Sequence, residues 1–290
     1  MKKYQPAAYL YIIPALVIYA IFFLFPIFQL IRFSFTRWSG VGPKKWVGLL
    51  NYKTLLFHDQ MFWYSTLHNL LWLVAALIIP VSIGLFLAIL LVRAPLHGRR
   101  VFRVLYFMPQ VLSSVVVAVI WRWIYNPVYG ALNMLLKAVG LSFLAQGWLG
   151  NYTTALPALF VAWSWKYFGF CMVIFIAALQ EIGEEYFEAA KLDGANWFQQ
   201  LKYIILPFIT NPMRTVLIIT MILSVQIFDL VYIITHGGPG NSTMVASLYM
   251  YDNAFKYGKI GYGSTVAIVL GLIILGFSII SLRLRKEANK

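Results

Sequence analysis

"EAAKLDGANWFQQLKYIILP", residues 188–207, decides how the rest of the chain is read. It opens on small and acidic residues, yet it lies in a chain of 290 residues that is 61% hydrophobic and 11% charged. Soluble domains carry roughly a quarter charged residues. A chain this poor in charge cannot cover itself with solvated surface, so it reads as an integral membrane protein and the stretch as a loop outside the apolar phase. The loop, taken as 181–207, predicts helix, tight turn, helix. "EEYFEAAKL" at 184–192 places acidic residues in a first turn, where they suit the helix dipole. Glu188 and Lys191 have the spacing of a surface pair. Asp193-Gly194 is a stop signal, with glycine suited to the left-handed position after a helix. Asn196 and Gln199 have capping-box spacing. Trp197, Phe198, Leu201 and Ile204 or Ile205 then form an apolar stripe, and Pro207 is expected to end the second helix. Ala189, Ala190, Gly194 and Ala195 leave a surface with little side-chain bulk. That surface suits close approach by another protein; amphipathic helices resting on lipid are the other reading.

Outward from the loop, six stretches are long and apolar enough to span a bilayer: about 7–31, 69–92, 104–124, 156–180, 213–235 and 262–282. They are continuous rather than alternating, which excludes a barrel. The uncharged run after "MKK" is too long for a signal-peptide core and no small-residue cleavage site follows, so a retained first span is expected. Six spans put both termini on one side. The clusters Arg99-Arg100 and "RLRK" at 283–286 favour the cytoplasm for that side, although Arg32, Arg37, Lys44, Lys45 and Lys53 in the first outer loop pull the other way. The loop at 181–207 then faces the cytoplasm. The net charge of +14 reflects cations flanking apolar spans, a pattern that points to lipid rather than nucleic acid. Pro26, Pro80 and Pro109 fall inside spans, and Gly261, Gly263, Gly271 and Gly276 are expected to let helices pack closely. The expected division is a first helix with its outer loop at 1–64, a five-helix core at 65–284 and a tail at 285–290.

Several chemistries have no residues to build on. There is no phosphate-cradling G-x-x-x-x-G-K-[ST] and no G-x-S-x-G elbow. His58, His68, His97 and His236 are dispersed, so no metal site and no catalytic residue are expected. The lone Cys171 excludes an intrachain disulfide. "GGPGNST" at 237–243 reads as a connecting turn, or as a turn that meets an outer protein.

Glu188-Ala189-Ala190, Asp193-Gly194-Ala195, Ile204 and Leu206-Pro207 at these spacings resemble the EAA signature of the permease subunits of binding-protein-dependent ABC importers. Residues 9–38, 121–133 ("WRWIYNPVYGALN") and 228–243 ("FDLVYIITHGGPGNST") are similar to the sugar-type branch, which includes maltose and glycerol-3-phosphate permeases. Gly183 departs from the proline common at that position, but both break a helix. The chain lacks the long outer loop and extra N-terminal spans of maltose-type subunits and so resembles the shorter form. The resemblance implies an all-α, six-span type I importer permease in the inner membrane, both termini cytoplasmic. Glu188, Ala189, Ala190, Asp193, Gly194 and Ala195 would dock on a cytoplasmic ATPase. ATP and magnesium would sit on two such ATPase subunits, with no cofactor in this chain. A second homologous permease and an extracytoplasmic binding protein would complete the system, with a carbohydrate as substrate.

Intramembrane ionisable groups suggest function by default. Asp229 lies in the fifth predicted span, near its outer end, with Gln226 three positions earlier, so both are expected to share a face. For a sugar substrate, Tyr232, Trp163 and Tyr167 could offer stacking surfaces. Asp229 could instead pair with Arg122 or Lys166 and fasten spans together.

Overall fold

The computed structural model describes residues 11–94 and 97–287; side chains at 277, 278 and 280–287 lie outside that description, as do the cations at 2, 3, 283, 285, 286 and 290. Among the described residues the regular structure is helical apart from one two-strand ladder. The principal elements are α1 (Ile13–Ser34), β1 (Thr36–Arg37), β2 (Lys45–Trp46), α2 (Leu50–Phe57), α3 (Gln60–Arg93), α4 (Arg99–Val111), α5 (Ser114–Ile124) and α6 (Ala131–Ala138). They continue with α7 (Ala155–Gln180), α8 (Glu184–Leu192), α9 (Trp197–Gln200), α10 (Thr210–Val225), α11 (Asp229–Ile234), α12 (Ala246–Tyr251) and α13 (Ile260–Glu287).

The chain divides into two compact units, one made of 1–63 and 249–273, the other of 64–248 and 274–290. In the first unit, α1 widens into a π turn at Ala20–Leu24 immediately before Pro26, whose ring cannot donate an ordinary helical bond. From Ile13 to Ser34 it buries only Ser34, so its apolar surface is left for lipid or another chain. Past its end, β1 and β2 pair antiparallel, Thr36 opposite Trp46. Asn51 Nδ2 donates to the carbonyls of Ser34 (2.8 Å) and Thr36 (3.0 Å), closing the exit from the helix.

In the second unit, α7 is the central element. Leu159, Met172 and Phe175 on it are fully buried. A Cβ on Gly169 would lie 2.2 Å from the Tyr106 carbonyl oxygen, and one on Gly84 would lie 2.6 Å from Cys171 Cβ, so α4 and α3 approach α7 at backbone range. The glycines expected to do this in the last span divide. A Cβ on Gly261 would collide with the Thr36 carbonyl and one on Gly263 with Ala254, but among the described residues nothing lies within 4 Å of a Cβ built on Gly271 or Gly276.

Among the described residues, four helical stretches are long and apolar enough to cross a membrane: Ile13–Ser34, Gln60–Arg93, Ala155–Gln180 and Thr210–Ile234, the last made of α10 and α11. The expected straight span at 104–124 is instead α4 and α5, bent by 101°. Leu112 and Ser113 are extended between them (ψ 141° and 149°), and the Ser113 hydroxyl accepts from Val116 N–H to cap α5. Taken as one crossing, the pair makes a fifth span. α13 is continuous, but its described apolar part, Ile260–Gly276, is shorter than a full crossing.

Candidate functional site

The loop quoted at the outset folds from its own residues. α8 ends in a Schellman motif: Gly194 N–H bonds the Lys191 carbonyl (3.1 Å) and Ala195 N–H bonds the Ala190 carbonyl (2.8 Å), with Gly194 at φ +76°. The capping box follows at once. Gln199 N–H donates to Asn196 Oδ1 (2.9 Å) and Asn196 N–H donates to Gln199 Oε1 (2.7 Å). Glu188, Ala189, Asp193 and Gly194 are exposed, and Ala190 and Ala195 are partly so. A Cβ built on Gly194 meets nothing within 4 Å, so only its backbone angle, not crowding within the chain, calls for glycine. Around this bare turn, Leu192 (89% exposed), Trp197 and Phe198 present large apolar surface.

Two expectations for the loop are corrected. Pro207 does not end the second helix, which runs on through a π turn at Leu201–Ile205 and a further turn at Leu206–Phe208. The wide turn precedes the proline and absorbs its missing N–H, as at Pro26, and the helix stops one residue past it, at Phe208, with Ile209 in a turn. Glu188 and Lys191 form no ion pair among the described residues; the acidic partner at this end is Glu184. Arg93, at the end of α3, places one guanidinium nitrogen 3.0 Å from each Glu184 carboxylate oxygen and its Cζ 3.5 Å above the ring of the buried Phe187. The loop's first helix is thereby tied to α3.

The polar residues of the fifth span lie at a break, not on one continuous helix. α10 stops at Val225, Phe228 takes φ −141° and ψ −60°, and α11 starts at Asp229. Gln226 and Asp229 flank the break and are both exposed on the chain. The carbonyls freed there are taken by side chains from elsewhere. Asn69 Nδ2 donates to those of Ser224 (3.2 Å) and Val225 (3.1 Å), and Ser247 Oγ donates to that of Ile227. Asn69 Oδ1 accepts from Ala246 N–H at 2.7 Å. Such freed groups must be satisfied internally at membrane depth. Asn69 went unnoticed in the sequence, where its only signal was an amide at the edge of an apolar run.

The five residues considered for a substrate path separate into two sets. Trp163 and Tyr167 are buried and stacked on each other (4.6 Å, 18°), with Tyr167 hydrogen-bonded to Thr220 Oγ1 at 2.9 Å. Tyr232 is half-buried and stacks on Phe228 at 5.2 Å. Asp229 forms no ion pair with Arg122 or Lys166 among the described residues; Lys166 Nζ donates to Ser114 Oγ at 3.1 Å. An exposed carboxylate on a span must meet water or another chain, because hydrocarbon cannot solvate it.

With this geometry in place, comparison with known proteins gives a consistent match. The family model described as "Binding-protein-dependent transport system inner membrane component" matches residues 81–286. A "Probable ABC transporter permease protein" of Pyrococcus horikoshii is 38% identical, covering 93% of this chain and 92% of that one. The trehalose/maltose transport system permease protein MalF of Thermococcus litoralis is 33% identical over 97% of this chain and 95% of that one. Among solved structures, a chain of a bacterial ABC transporter involved in import of the acidic polysaccharide alginate superposes with a TM-score of 0.86 at 21% identity, covering 98% and 96% of the two chains.

Proposed function

The chain belongs to the family of binding-protein-dependent transport system inner membrane components, and on that premise we propose that it is the permease subunit of an ATP-driven importer of a sugar or oligosaccharide. It is a multi-pass transport subunit, not an enzyme. The carbohydrate assignment is supported by relatives named for sugar transport. The observation that carries the mechanism is the turn at Gly194. It is exposed, free of side-chain bulk and flanked by unpartnered apolar side chains, which is the form of a socketed contact.

In this reading Glu188, Ala189, Ala190, Asp193, Gly194 and Ala195 dock on one of two cytoplasmic ATPase subunits that carry ATP and magnesium. Closure of the ATPases moves α8, and Arg93 passes that motion to α3. The last helix makes the sixth crossing and both termini are cytoplasmic. A second homologous permease pairs with this chain, and a binding protein delivers substrate from outside. Gln226, Asp229 and Tyr232 line the path at the break between α10 and α11. Trp163 and Tyr167 support it from the core rather than touching substrate. A gradient-driven transporter would leave the bare docking turn without a purpose.

Co-expression with its ATPase and partner permease tests the reading. ATPase subunits should co-purify with the chain, and labelled sugar should enter cells only with the complete set. Asp229→Asn should lower uptake while leaving the complex assembled; unchanged affinity and rate would remove Asp229 from the path.

A further inference from the structure

The first unit holds a cleft of about 580 Å³ that none of the roles above uses. Its walls come from the segment after α1 and the segment between α12 and α13, both external in the orientation proposed above. Arg37, Trp38, His58, Tyr249, Lys259 and Tyr262 are among its lining residues, together with Asp59.

The polar groups of the wall fall into two classes. One class is already engaged. Asp59 Oδ1 accepts from Phe62 N–H (3.0 Å), and its Oδ2 accepts from the hydroxyls of both Tyr249 and Tyr262. Burial first, and the bond to Asp59 next, push the Tyr249 hydroxyl upward, so it stays a neutral donor at ordinary pH. The amides of Asn51 and Asn253 are spent on backbone carbonyls. The other class is unengaged. Arg37 and Lys259 are exposed and form no ion pair among the described residues. Arg37 and Lys259 bring two cations to a wall whose single carboxylate, Asp59, is saturated by its three donors.

Such a cleft offers aromatic surface from half-exposed Tyr249 and Tyr262 beside two cations, at a volume within the usual range for small-molecule sites; the Trp38 ring in its wall already carries Lys44 Nζ at 4.4 Å. Sugar rings stack on aromatic faces, and a carboxylate takes charge-assisted hydrogen bonds from Arg and Lys. A neutral sugar would leave both cations unanswered. We propose that the cleft binds a carboxylated sugar unit of an acidic saccharide on the external side of the protein. This deepens the carbohydrate reading, on which it rests, by giving the carboxylate of the saccharide a contact in addition to the path residues Gln226, Asp229 and Tyr232.

The test is calorimetric titration of the full chain in lipid nanodiscs with a galacturonate trisaccharide and with the neutral galactose trisaccharide of the same linkage. The uronate should bind about tenfold tighter or better, the return on a charge-assisted contact, and added salt should erode the difference. Arg37→Gln with Lys259→Gln should bring the two ligands to equal affinity. Because both side chains are exposed and the Asp59 cluster is untouched, the double variant should unfold as wild type does. Asp229→Asn should keep the preference, since it lies at the path. Equal or absent binding of the two saccharides by wild type overturns the proposal, as does a preference that survives the double variant. A double variant that loses only its hold on a binding protein also overturns it and makes the cleft a protein contact. Failure of every saccharide to be transported, with uronate preference intact, would instead sink the carbohydrate-import reading and spare the cleft.

Discussion

Two interruptions of helix in the second unit are built in opposite ways. The turn between α8 and α9 satisfies its backbone from within: the Ala190, Lys191 and Asn196–Gln199 bonds all close over a few residues. The break between α10 and α11 is satisfied from a distance, by Asn69, which lies 155 positions before Ser224, and by Ser247. A locally closed turn keeps its shape while standing exposed, so it can be gripped and displaced as a body. A break held by remote side chains depends on its unit remaining packed. The first suits a contact that moves, the second a feature that holds its place while other parts move.

Substitutions can sharpen or break that contrast. Asn69→Ala strips partners from two carbonyls and one N–H in the interior. At ~1 kcal/mol or more for each unsatisfied group, a loss of about 3 kcal/mol is expected, visible as a markedly lower thermal midpoint in detergent; an unchanged midpoint would show that the break does not rely on Asn69. Asn196→Ala removes only a local cap, for which about 1 kcal/mol is usual. Its effect should stay within the loop, as faster amide exchange at 197–200 with the global midpoint nearly unmoved. Arg93→Met should cost least, about 0.5 kcal/mol, since Glu184 is exposed and water screens the pair while methionine keeps contact with Phe187. In the assembled importer the same variant should still raise the ATP hydrolysed per sugar moved. Unaltered coupling would remove Arg93 from the transmission.

The same contrast explains what could be read from sequence. Helix 184–192, the left-handed Gly194 and the Asn196–Gln199 box were legible because every participant lies within a few positions of the others. Pro207 placed the end one residue early, because a π turn upstream, which leaves no composition signal, carries the helix past it to Phe208. The bend at 112–113 and the break at 226–228 fall inside unbroken apolar runs, where hydropathy reports only length. Their carbonyls find partners through tertiary packing, so a period of 3.6 residues put Gln226 and Asp229 on one face of a helix that stops between them. Trp163 and Tyr167 were attractive as aromatics in a span, but packing places them in the core, and sequence does not distinguish a stacking surface from a buried stack.

Gly194 carries the central claim, and a pair of substitutions separates its two duties. Asparagine tolerates the left-handed angle and adds a small side chain; tryptophan fills the empty space in front of the turn. The decisive measurement is substrate-stimulated ATP hydrolysis by the reconstituted importer carrying either variant, with the unfolding profile recorded alongside. The account predicts that Gly194→Trp abolishes the stimulation while the permease stays folded, and that Gly194→Asn retains most of it. Wild-type stimulation in a folded Gly194→Trp complex would contradict it.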